Sequence, residues 1–179
     1  MQDKNWLTQQ LNLMLTGYGY NLYNNANRAR ADDLLVRQHA SGLLGEAADL
    51  LGRMASDYTA HRLPPSTRDH PFPTAADMAP LNDLQKLRTE VSTLSSRIRG
   101  LSVPTQDRVW ERFRNEATTL HYLLSSDYQL ISSADSVLAA VRGVTAMTWN
   151  EESYGRIRAE MDALEAAARE REQFLKTSA

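Results

Sequence analysis

Four histidines, at positions 39, 61, 70 and 121, are the side chains in this 179-residue chain best suited to moving a proton near neutral pH or holding a metal. Asp57 precedes His61 by four residues, so both fall on one side of a helix, a spacing that can bind a metal ion. A di-iron bundle needs two Glu-x-x-His pairs and two further glutamates. The chain has no Glu-x-x-His and no His-x-x-x-His. His39, His61 and His70 therefore read as structural or surface residues, and neither a metal nor a cofactor is expected. Cysteine is absent, which excludes disulfides, thiol nucleophiles and Cys-based zinc sites. The sequence also lacks a Gly-x-Ser-x-Gly elbow, a Walker loop and a G-x-G-x-x-G turn. The adjacent carboxylates Asp32–Asp33 and Glu151–Glu152 would point about 100° apart on a helix. They read as solvated faces or helix starts rather than as acid/base pairs.

The fourth histidine ends the string Arg114-Asn-Glu-Ala-Thr-Thr-Leu-His121, an arginine and a histidine with six residues between them. This string resembles the Arg-x(4–6)-His motif of HEPN domains, all-helical bundles that often act as ribonucleases. An asparagine after the arginine, here Asn115, is frequent in that motif. The resemblance covers eight residues. It implies acid–base chemistry at His121 and stabilisation of phosphate charge by Arg114. Seven helical residues separate the two by about 10 Å along the axis, so they would meet only across a substrate or a partner chain. Read from its neighbours alone, His121 is a bundle histidine beside Leu120 and Leu124.

The stretch TGYGYNLYNNANRARADD, residues 16–33, is the other candidate site. Gly17 and Gly19 suit a turn between two helices. Tyr20, Tyr23, Asn27 and Arg30 then follow at helical spacings and form one stripe. Tyrosine and asparagine bury a flat body while still offering hydrogen bonds. With Arg28, Arg30 and Arg37 near them, they could grip a nucleotide, a phosphate or a peptide. The structural reading is a tyrosine-lined helix end packed on a bundle, its arginines paired with Asp32 and Asp33. For recognition of a protein partner, Tyr20, Tyr23, Asn27, Arg28 and Arg30 are the residues singled out, since tyrosine and arginine are favoured interface anchors.

The elements that must position these residues are helices. Valine and isoleucine are sparse, and no segment alternates apolar with polar for long. The plainest helix covers about 77–101, where Leu84, Leu87, Val91, Leu94, Ile98 and Leu101 make an a/d seam. Thr74 or Asp77 can cap it, Pro80 fits its first turn, and Gly100 ends it. A second seam, from Thr105 to about 142, runs through Trp110, Phe113, Leu120, Ile131, Leu138 and Val141. Only Asp127 breaks its rhythm, and Ser126-Asp-Tyr-Gln129 has the form of a capping box, so a kink or restart is expected there. Thr148-Trp-Asn-Glu151 reads as the cap of a last helix carrying Tyr154, Ile157, Met161, Leu164, Ala168 and Leu175. Glu152–Arg156 and Glu165–Arg169 would brace its outer face.

The N-terminal third reads as a short helix over about 3–15 and a long one over about 20–62. Gly42, Gly45 and Gly52 lie inside the long one. Either a neighbouring helix comes close to them or the helix breaks near 42. Four of the six prolines fall in residues 63–76, an extended crossover. The whole is expected to be one all-α domain over 1–179, an elongated antiparallel bundle of about five helices with coiled-coil-like packing.

Net charge is -2 and hydrophobic residues make up 42%. That balance suits a globular chain and gives no overall drive toward nucleic acid or an anionic membrane. No apolar run approaches the length of a membrane span. The start lacks the pattern of a secretory leader, so the cytoplasm is the expected compartment. The function expected is non-enzymatic: a helical module that binds another protein, as adaptor, chaperone or small regulator, and that forms a homodimer through its apolar seams. A HEPN-like ribonuclease using Arg114 and His121 is the first alternative. A bundle that holds a small ligand or nucleotide near Tyr20, Tyr23 and Arg30 is the second.

Overall fold

The computed structural model describes residues 26–65, 67–68, 71–101 and 117–177, with the helical backbone alone for 26–33, 117–121 and 124. Four helices make up this part: α1 (Ala26–His61), α2 (Ala75–Arg99), α3 (Ala117–Arg142) and α4 (Glu151–Thr177). The helix expected over 3–15 lies outside the described residues, as do Trp110, Phe113 and the start of the second seam.

Two hairpins pack side by side. In the first, Tyr58 near the end of α1 bonds Asp77 near the start of α2, while Ser95 of α2 bonds Ser41 of α1, so the helices run antiparallel. In the second, Arg156 reaches Ala140 and Arg171 reaches Asp127, again antiparallel. Across the hairpins the neighbours are α1 with α3 and α2 with α4. Arg158 pairs with Glu90 and Arg97 with Glu165, so α2 and α4 run parallel and in step. It follows that α1 and α3 are also parallel, with Arg142 bonded to Glu46 at 2.6 Å.

The apolar seam of α2 is buried. Leu81, Leu84, Leu87, Val91, Leu94 and Ile98 are all buried. Such side chains each contribute about 1.5–3 kcal/mol on burial. They meet Ala40, Leu44, Ala47, Leu51 and Met54 of α1, Ala134 and Leu138 of α3, and Ile157 and Leu164 of α4 in a single core. Small alanines on α1 opposite leucines on α2 let the axes approach. Among the described residues no helix is long and apolar enough to cross a membrane.

Caps fix where the helices begin. Thr74 Oγ1 accepts from the Asp77 amide at 3.2 Å, and Asp77 Oδ2 accepts from the Thr74 amide at 2.9 Å, a reciprocal box that starts α2 at Ala75. The Thr74 hydroxyl also donates to Asp77 Oδ2 at 2.7 Å, and this bond, with the smaller help of the Thr74 amide, holds the Asp77 carboxyl below its ordinary range. Pro80 consequently stands in the second turn of α2, not the first. The last helix departs from expectation. Asn150, not Thr148, is its cap, with Oδ1 accepting from the Ser153 amide at 2.8 Å. Thr148 instead closes a turn with Thr145, each amide donating to the other's hydroxyl. Arg169 does reach Glu165 at 2.9 Å, whereas Arg156 turns toward the Ala140 carbonyl at the end of α3 rather than to Glu152.

Neither the restart read at Ser126–Gln129 nor the break near residue 42, the competing reading there, occurs. α3 is continuous through Asp127, and α1 is continuous through Gly42, Gly45 and Gly52. Among the described residues a methyl group placed on Gly42 or Gly45 meets nothing within 4 Å, so none of the four described helices comes close there. Gly42→Ala and Gly45→Ala should therefore each raise the stability of the isolated chain by about 1 kcal/mol, read as a shift in the urea midpoint. A loss of stability in either variant would show that the glycine is needed within the monomer.

Candidate functional site

Of the stretch singled out at the start of α1, Tyr20 and Tyr23 lie outside the described residues. Asn27, Arg28 and Arg30 fall in the first two turns of α1. Beyond them the surface is apolar. Leu34 and Leu35 stand 44% and 42% exposed, side by side, although the core is closed immediately behind them by Val36. Helical spacing sets positions 27, 30 and 34 in one line.

Arg37 continues that line and does not serve the surface. It is buried, and Nη1 donates to the carbonyls of Arg99 at 2.6 Å and Leu101 at 3.2 Å. A cation there complements the negative end of α2. Arg99 in turn reaches Ser41 Oγ at 3.4 Å, and Ser95 Oγ donates to the Ser41 carbonyl at 2.9 Å. Arg37, which the sequence sets near the candidate stripe, is thus a clasp between α1 and the end of α2.

Arg114 lies outside the described residues. His121 is the fifth residue of α3, and nothing described places the two together. The neighbouring Tyr122 is defined: its hydroxyl donates to Glu170 Oε1 at 2.8 Å, and its ring lies 4.2 Å from that of Phe174. The bond to Glu170 raises the phenol above its ordinary range. Among the other histidines, His39 is exposed and His70 lies outside the described residues. His61 Nδ1 donates to the Asp57 carbonyl at 3.0 Å, so the ring answers to the backbone rather than to the Asp57 carboxylate. Among the described residues no three of His, Asp and Glu gather as a metal ion requires.

Two features escaped the sequence reading. The first is a buried ion pair. Arg171 is 1% exposed and its Nε donates to Asp127 Oδ1 at 2.7 Å. The second is an open groove between α1 and α2 lined by Asp49, Gly52, Arg53, Ser56, Asp57 and Arg88. The Arg88 guanidinium lies across Gly52, its Nε 3.2 Å from where a β-carbon would stand. The groove runs on along α2 past Thr89, Ser92, Thr93 and Ser96. Each of these hydroxyls donates to the carbonyl four residues back, so their protons are committed to the helix and the face they present is small and uncharged.

Comparison of the chain with family models, with curated proteins and with solved structures returns no match. The arrangement therefore speaks only through its own chemistry. It offers a polar trough on one side, and elsewhere an apolar pair one to two turns beyond Asn27, Arg28 and Arg30.

Proposed function

We propose that the chain is a non-enzymatic helical module of the cytoplasm that binds another protein, as an adaptor, chaperone or small regulator. The observation that carries this reading is the exposed pair Leu34 and Leu35 on a helix whose core-facing side is already filled. Part-exposed leucines that follow Asn27, Arg28 and Arg30 along one helix give an apolar centre with polar and arginine neighbours in sequence, the composition of a protein-binding patch. The a/d spacing kept in α2 and α4 supports coiled-coil-like packing of the rods that present it.

An affinity pull-down with the intact chain should return a stoichiometric partner. Leu34→Glu with Leu35→Glu, or Arg30→Ala, should lose it, while Phe72→Ala should keep it; Phe72 is 81% exposed but lies in the α1–α2 crossover, at the opposite end of α1. Circular dichroism should show helicity unchanged in all three. Retention of the partner by the double leucine variant would refute the assignment of this face. Incubation with RNA separates the ribonuclease reading, which requires cleavage that disappears in His121→Ala.

A further inference from the structure

The groove around Gly52 carries two positive and two negative side chains: Arg53 and Arg88, Asp49 and Asp57. Among the described residues none of the four forms an ion pair or a side-chain hydrogen bond, although each stands within one small patch. Balanced charge argues against a phosphate-rich ligand, since the aspartates would repel it. The openness of the groove argues against a small molecule, which binds by being enclosed. A surface that carries equal numbers of both signs, unsatisfied among the described residues, is complementary to itself.

We propose that this face joins two copies of the chain about a two-fold axis beside Gly52. In such a pair the same patch meets itself, and residue i facing j implies j facing i. An axis level with position 51 of α1 sets Asp49 of one copy opposite Arg53 of the other, twice. Arg88 and Asp57 keep the patch neutral, so the copies approach without net repulsion. Gly45 fits this arrangement independently. It lies on the same helical line as Asp49 and Gly52, and a methyl group there meets nothing within 4 Å among the described residues. No described helix comes close enough to offset its helix-propensity cost of about 1 kcal/mol; close approach of a second α1 supplies that offset.

This interface is separate from the partner site at Leu34 and Leu35, and the two stand or fall apart. Sedimentation of the purified full chain at low salt should show a dimer that dissociates as ionic strength rises. Arg53→Asp and Asp49→Arg should each weaken dimerisation roughly tenfold or more, because each sets like charges opposite one another at two places. Mixing the two variants should restore dimers, since both positions are then acidic in one chain and both basic in the chain that faces it. Asp49→Arg with Arg53→Asp in one chain should pair with itself again. Both positions are exposed, so folding is retained, and circular dichroism checks that it is. Leu34→Glu with Leu35→Glu should leave the dimer intact. A wild-type chain that stays monomeric at high micromolar concentration overturns the proposal, and so does a dimer indifferent to both charge reversals or not restored by mixing.

Discussion

Asp127→Leu alone is expected to destabilise the bundle by about 3–5 kcal/mol, whereas Asp127→Leu combined with Arg171→Met should recover most of that loss. The pair is enclosed, with side chains 6% and 1% exposed. Taking two charges out of water costs several kcal/mol per ion, and their mutual attraction roughly offsets that cost. Removing one partner keeps the cost of the other and discards this pair's share of the offset. Arg171 cannot escape by losing its proton, since guanidinium stays charged throughout the accessible pH range. Removing both deletes the cost along with the gain and leaves two apolar side chains of similar reach in an apolar seam. Chemical unfolding of the wild type, both single variants and the double variant gives the coupling energy directly. Additive losses, with the double variant worse than either single one, would show that the two side chains do not act as a pair.

The same pair shows how far the sequence can be read. Apolar spacing in α2 was sufficient because every seam position there is aliphatic and buried. In α3 the spacing exposed a break at Asp127, and a break in a heptad has two physical meanings: the helix stops, or a polar group is answered from another helix. Choosing between them needs the register of α4 against α3. That register was within reach, because folding the chain at the 143–150 turn brings position 127 opposite the part of α4 that holds Ala168 and Arg171. The unfilled place between Ala168 and Leu175 is where Arg171 falls. The matching gaps on two helices were the signal that one missing apolar residue on each was a single interaction. The Gly52 groove was less legible. Which residues of α1 face Arg88 depends on the path of an irregular, proline-rich crossover, and side-chain spacing says nothing about that path. Arg37 illustrates the remaining difficulty. Its type and position suited a ligand-gripping stripe, but the carbonyls at the end of α2 compete for any nearby cation, and only the packing of α1 on α2 reveals that they win.

That competition yields the second large effect. Arg37→Met should lower stability by about 3 kcal/mol, because bonds from a charged donor contribute about 1.5–3 kcal/mol each and this guanidinium makes one to each of two carbonyls. The methionine stem replaces the buried carbons but leaves the Arg99 and Leu101 carbonyls without their cation. Lysine should recover only part of the loss. Its ammonium is a strongly hydrated point charge, dearer to bury than a planar guanidinium, and it cannot reproduce the fork. Ser95→Ala, which removes a single neutral bond at the same joint, should cost about 1 kcal/mol. Urea unfolding of the three variants sets the order methionine, lysine, alanine from most to least damaging. An Arg37→Met chain within about half a kcal/mol of the wild type, less than a typical net hydrogen bond, would mean that water can replace the clasp. In that case Arg37 would be available at the surface beside Leu34, and the partner-binding face would have to be redrawn to include it.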